Sequence, residues 1–346
     1  IWRSIQVPVT VEMITTGNVP PPTSDNQVRY TTAITGPRLP YQTFHTVYVK
    51  KKLLESVTEE KSQYLIDFGS SRGGDLNRWN ELGYTNVVGL DIDPDSVDQA
   101  TLRYEKMHVD KDRFDVTFIC ADLTKLIFPS YKSACSSTES KNWKEIMKLN
   151  LSQKYIFDVV SSQFVIHYAF SNELSLRKYF QNVTDNLKIG GHFVGTTFDG
   201  QRVYESLKRK SSIKGMKGKD KVWEITKLYG KKKFVQGKPN LGMTIDVFVK
   251  TIGIPHKEYL VSYTYMAELA KEFGLELINV TPFSEYWKEG QSAGKISSVI
   301  KSMSEAEKQF SFLFSSFTFK KIKNQPETTY KKLIKLQKKY DKKSNN

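Results

Sequence analysis

One pattern dominates the chain: between residues 44 and 198, short apolar runs alternate with amphipathic stretches. Residues 44–60 have helical spacing. Residues 64–69 form an apolar run closed by Gly69, which predicts a buried strand, and 73–83 form a helix stopped by Gly83. A strand over 86–93, a helix over 94–107 opened by Pro94, and a strand over 116–123 follow. After a polar, Ser/Lys-rich insertion over 130–154 come a strand over 156–165, an amphipathic helix over 172–191 and a strand over 191–198. Later strands are expected at 244–250, 276–283 and 310–320. This order predicts an α/β fold: a mostly parallel sheet flanked by helices, with insertions. Open sheets of this kind bind ligands beyond the carboxyl ends of their strands. That rule alone selects Gly69, Asp91, Asp122 and Gln163.

The formal charge is +15, and its placement is uneven. Residues 208–233 carry eleven Lys/Arg against Asp220 and Glu224, and 320–346 carry ten Lys against Glu327 and Asp341. Two cationic appendages on a near-neutral body suit a polyanion such as RNA. Blocks of like charge also occur as merely solvated loops and tails. Residues 1–43, with Pro20, Pro21 and Pro22, are expected to be an arm or linker from an upstream domain, and Ile1 fits a longer polypeptide. The domain proper is expected over 44–321, with a basic C-terminal tail over 322–346. No run of about 18 apolar residues predicts a membrane span, and no secretory leader opens the chain. Two cysteines, Cys120 and Cys135, and five His argue for a reducing compartment and against a metal centre.

The first strand leads into DFGSSRGGDL (67–76), a glycine turn entering a helix. Ser71 stands at the second glycine of the dinucleotide fingerprint, so a nicotinamide dehydrogenase is disfavoured. Asp91 ends the second strand, where a carboxylate can accept from ribose hydroxyls. Asp122 ends the third, within reach of an adenine amine. Together they suggest an adenosine-bearing cofactor. The alternative is that both acids cap the segments after them.

Several motifs resemble those of the messenger RNA cap guanine-N7 methyltransferases. FGSSRGGDL (68–76) is similar to that family's D-L-G-C-G-K-G-G-D-L, and SSQFVIHYAF (161–170) to its Q-F-x-x-H-Y-x-F. GGHFVGTTFD (190–199) resembles the strand that follows, KEYLV (257–261) the cap-reading segment, and FLFSSFTFKK (312–321) the closing strand. The matches keep the family's order over 44–320, and the basic decorations suggest a large-DNA-virus branch. The resemblance implies a Rossmann-like class I fold and the methyl donor S-adenosyl-L-methionine, with S-adenosyl-L-homocysteine as product and no metal. It implies a capped mRNA 5′ end as partner, upstream guanylyltransferase and triphosphatase domains in the same polypeptide, and the host cytoplasm or virion as location.

Carried over by residue, the resemblance places Lys50, Gly69, Asp75, Asp91, Asp122, Gln163 and Tyr168 around the donor, with Lys50 on its carboxylate. It places Arg72, Arg78, Arg103, His167, Glu258 and Phe314 around the cap. Departures are Ser70-Ser71 for Cys-Gly, Asp93 for a small residue, Thr46-Val47 for an Asn pair, and Phe314 for Tyr. Guanine N7 carries no proton at neutral pH, so the implied reaction needs alignment and electrostatics in place of a general base. Glu258 could accept both adjacent donors of guanine, which adenine lacks. Glu258, His167 and Tyr168 would orient the base. Two other readings stay open: a donor-binding, RNA-associated subunit without activity, and a methyltransferase of another substrate class.

Overall fold

The computed structural model describes residues 38–127, 156–230 and 233–344. The insertion expected at 130–154, Cys135 and most of the N-terminal arm lie outside these.

A seven-stranded sheet forms the centre, in the order β10-β11-β5-β4-β1-β2-β3. Its strands are β1 (Tyr64–Phe68), β2 (Asn86–Asp91), β3 (Asp115–Cys120), β4 (Phe157–Gln163), β5 (Leu187–Phe198), β10 (Leu275–Pro282) and β11 (Phe314–Lys321). β1 to β5 pair in parallel, and β11 runs antiparallel to both of its neighbours. The strand order reverses between β1 and β4, which opens a crevice at their carboxyl ends. Phe68, Val88, Val160 and Phe193 bury against one layer of helices, and Leu65, Val87, Val159 and Val194 against the other. With both faces covered, these strands are near-continuous apolar runs, which is why they were legible in the sequence.

One layer holds α4 (Glu173–Asn186), capped by Asn172 accepting from Ser175 N at 3.0 Å, and α6 (Tyr263–Glu272). The opposite layer holds α1, α2 (Leu76–Glu81) and α3 (Pro94–Glu105). α1 runs as Pro40–Thr43, a wider π stretch Phe44–Val49, and Lys50–Glu55. It therefore starts earlier than the expected 44, with Tyr41 buried. The helix expected over 73–83 is shorter, because residues 70–75 are used as a turn.

Four further expectations differ from the structure. β5 begins at Leu187, so the preceding helix stops short of 191. Phe310 and Ser311 belong to helix α9 (Glu305–Ser311), because Ser304 and Glu307 form a capping box that overrides the β-propensity of the Phe-rich run. The basic segment 208–233 is mostly a hairpin, β6 (Ser212–Lys217) and β7 (Asp220–Lys227), in a second sheet ordered β6-β7-β8-β9. Its other strands are β8 (Thr244–Val249) and β9 (His256–Tyr259). Finally, within 322–346 lies helix α10 (Glu327–Ser344), whose Tyr330 and Leu333 bury against Leu126 and Leu174 while Lys331, Lys332, Lys335, Lys338, Lys339 and Lys342 are exposed. The remaining helices are α5 (Gly200–Leu207), α7 (Phe283–Gly290) and α8 (Ser297–Lys301).

Candidate active site

β1 ends at Gly69, whose backbone is left-handed (φ 86°) and whose missing side chain leaves room for Val165. Any Cβ there would overlap the valine, so the close approach of the two loops requires glycine. Ser71, where the family has glycine, adopts the glycine-like conformation anyway (φ 45°). The loop therefore keeps its route at the cost of a strained serine. Ser71 N donates to Asp91 Oδ2 at 2.8 Å, and Asp93 N donates to Asp91 Oδ1 at 3.0 Å. Asp91 is thus fixed at the end of β2 with lone pairs remaining on both oxygens. Burial raises its pKa, and the backbone donors oppose the rise. Asp122 follows β3, and its Oδ1 accepts from Thr124 N (2.9 Å) and Thr124 Oγ1 (2.7 Å). Part of the capping alternative therefore holds: one oxygen of Asp122 organises its own turn.

Lys50 Nζ donates to Asp75 Oδ2 at 2.9 Å, 5.7 Å above the ring of Phe164. Arg78 pairs with the other oxygen of Asp75 and with the carbonyl of Thr46. Arg78, expected at the cap, instead stands behind Lys50, because a buried carboxylate between two cations fixes both. Asp75 is likewise the bridge of this triad. Burial lowers the Lys50 pKa to about 8, opposed by the nearby Asp67. Asp67, which is not among the expected site residues, is 1% exposed, and burial raises its pKa to about 6. Its Oδ1 has no hydrogen-bond partner among the described residues. Gln163 lies two residues beyond Ser161, the cross-strand partner of Asp67. Its Nε2 donates to Ser161 Oγ at 3.3 Å, and its Oε1 accepts from Thr196 Oγ1 at 3.1 Å.

The next residue, Phe164, also has a left-handed backbone (φ 63°). The strain redirects the chain into the 3₁₀ turn Ile166–Ser171, which carries His167 and Tyr168 with ring centroids 4.1 Å apart. Across from it, β9 presents Glu258. His167 Nε2 lies 3.7 Å from Glu258 Oε2, too far for a hydrogen bond. His167 is buried, and that nitrogen has no hydrogen-bond partner among the described residues. Burial lowers the His167 pKa to about 3 and raises that of Glu258 to about 8. A neutral donor and a desolvated carboxyl thus face one another, both with unspent hydrogen-bonding capacity. Arg72 is half-exposed in the glycine loop, and Arg103 lines a cavity of about 220 Å³ with Gly73, Gly74 and Asn77.

Phe314 does not join them. It is 6% exposed, stacked on Phe198 at 3.9 Å and packed by Phe283 and Phe310. With no hydroxyl to satisfy, the ring is used as core.

The strand order, the switch-point glycine loop and the carboxylate ending β2 define a class I S-adenosylmethionine-dependent methyltransferase. The residues fit that donor: Asp91 keeps lone pairs free at the end of β2, and the buried Asp67 Oδ1 beside it has no hydrogen-bond partner among the described residues. Residues 41–339 match the family described as the mRNA (guanine-N(7))-methyltransferase domain, and the chain belongs to that family. It is 30% identical over 246 residues to a probable mRNA-capping enzyme of Acanthamoeba polyphaga mimivirus, covering 67% of this chain and 20% of that protein. It is 28% identical over 256 residues to the mRNA cap guanine-N(7) methyltransferase of Schizosaccharomyces pombe, covering 71% and 62%. The chain thus spans less than two thirds of the length of these relatives. Among solved structures it resembles the CcbJ methyltransferase from Streptomyces caelestis, with 13% identity, 84% and 93% coverage and a TM-score of 0.49.

Proposed function

We propose that this chain methylates N7 of the guanine cap on mRNA, with S-adenosylmethionine as donor, and that it is the methyltransferase portion of a longer capping enzyme of large-DNA-virus type. At the finer level it resembles the methyltransferase portion of the African swine fever virus capping enzyme, working in host cytoplasm or virion. The single observation that carries the activity is the approach of His167 and Glu258 beside the strand-end site. Ionised Glu258 accepts from the guanine imino and amino groups, and His167, held neutral, donates to the carbonyl oxygen. Adenine offers the reverse pattern on that edge and is rejected.

The donor supplies an electrophilic methyl group. The residues supply its setting: Asp91 for the ribose, Lys50 for a carboxylate, and Arg72 and Arg103 for the phosphate bridge. Glu258 also stabilises the positive charge that develops on guanine. The test is transfer of radiolabelled methyl to GpppA-capped RNA, with ApppA-capped RNA as control. Label on guanine N7 of the first RNA alone is expected. Labelling of both, or donor binding without transfer to either, would refute the assignment.

A further inference from the structure

Strand β9 alternates. Glu258 faces the guanine site, and its neighbour Lys257 is exposed on the opposite face of the four-stranded sheet. Cross-strand pairing sets Thr226, Asp246 and Lys257 in one row of that outer face, and Lys214, Glu224 and Phe248 in another. The inner face is closed by buried Trp223, Ile225, Ile245 and Val247. The outer face is open. Phe248 is partly exposed, with Lys221 Nζ 4.6 Å above its ring. Glu224 is already engaged by Lys221 (2.6 Å) and Ser212 (3.1 Å), which lower its pKa.

Beside these rows, Arg209, Lys210, Lys214, Lys217 and Lys219 are all exposed and have no ion pair among the described residues. Between 208 and 221 the one acid, Asp220, is paired with Lys250 at 2.8 Å. Here the lysines stand on a rigid hairpin anchored by Trp223, whose Nε1 donates to the Ala306 carbonyl at 2.7 Å. Three interstrand steps, about 14 Å, separate β9 from β6. A chain leaving the guanine site over the β9 edge would meet Lys257, then Phe248, then the hairpin lysines.

We propose that this outer face binds the RNA chain that follows the cap, with phosphates on Lys214, Lys217, Lys219 and Lys257 and a base stacked on Phe248. The proposal rests on the cap-methyltransferase reading above. A single strand on such a surface is held by cations along its backbone and by aromatic stacking.

The test uses the whole chain. The triple variant Lys214→Ala/Lys217→Ala/Lys219→Ala changes only exposed side chains. Its affinity for a capped 20-nucleotide RNA is measured against salt, alongside kcat/KM for the cap dinucleotide GpppA. Loss of three phosphate contacts should flatten the slope of log Kd against log salt by about 2, while dinucleotide turnover stays unchanged. Phe248→Ala should weaken RNA binding roughly tenfold with the slope preserved. An unchanged salt slope in the triple variant overturns the proposal and leaves an acidic protein as the surface's partner. Equal losses on RNA and dinucleotide overturn it too, by showing a structural role. Failure of the wild-type chain to methylate GpppA would sink the cap reading alone, because the salt slope is still measurable with uncapped RNA.

Discussion

Replacing Glu258 by Gln keeps the shape of the side chain and removes its charge. Guanine presents two adjacent donors, which a carboxylate accepts together. A carboxamide offers one acceptor and one donor. Losing the bidentate match costs about 1–3 kcal/mol, and facing a buried donor with another donor adds roughly 1–3 kcal/mol. Together these are about 2–6 kcal/mol, and at about 1.4 kcal/mol per decade kcat/KM for GpppA should fall roughly 30- to 10⁴-fold. Burial holds the Glu258 pKa at about 8, so the empty site carries a protonated acid at neutral pH. Accepting both guanine donors requires losing that proton, a cost of about 1.4 kcal/mol at pH 7. Cap affinity should therefore rise roughly tenfold as pH climbs from 7 to above 8, and Glu258→Gln should abolish the rise.

Stability runs the other way. Between the ordinary value of 4.5 and about 8, the folded state holds a proton on Glu258 that the unfolded state has released. Stability is therefore lost as pH rises through that window. Gln escapes the loss, so the variant should be more stable than wild type at pH 7, by up to about 3 kcal/mol. Methyl transfer to GpppA, calorimetric binding of S-adenosylmethionine, and melting at pH 6, 7 and 8.5 together check the reasoning. Donor affinity that falls in step with cap turnover would refute it, as would a lower melting temperature at pH 7.

Asp75→Ala leaves Lys50 and Arg78 buried without their shared anion, so urea denaturation should show a loss of about 3–5 kcal/mol and the donor KM should rise; a stability change below about 1 kcal/mol would contradict the triad. Gly69→Ala forces a Cβ into Val165 at a left-handed position, and a thermal melt should report about 2–3 kcal/mol of destabilisation. Phe314→Leu keeps most of the core volume, so cap KM should hold while stability drops by about 1–2 kcal/mol; a raised cap KM at unchanged stability would return the ring to the cap site.

Much of the site was legible in the sequence because it is local. Gly69, Asp91 and Asp122 stand at strand ends, and strand ends follow from apolar runs of five to seven residues. A buried parallel strand has no polar face, so its beginning and end show in composition alone. Ser71 departs from the family's glycine, and its positive φ shows how the loop absorbs the change. Elements on the half-exposed second sheet were harder. In β6 and β7, lysines on the solvent side mask an alternation that buries Trp223 and Ile225. α10 was hidden similarly, because Tyr330 and Leu333 are sparse among lysines and find their partners in distant Leu126 and Leu174. The capping box at Ser304 and Glu307 was present in the sequence, but the run of Phe after it carried a stronger strand signal.

The chain's own pattern determined the sheet, its helices and the strand ends where a ligand must sit, since backbone hydrogen bonding and burial act over short stretches. Side-chain direction and long-range distance were decided by the tertiary structure. Nothing local turns Arg78 toward Asp75 or sends Phe314 into the core. Nor does anything local bring Glu258 to within 3.7 Å of His167, from which 91 positions separate it. The same is true of its charge. A glutamate's ordinary acidity belongs to the residue, but an acid held up to about 8 belongs to the protein that removes its water.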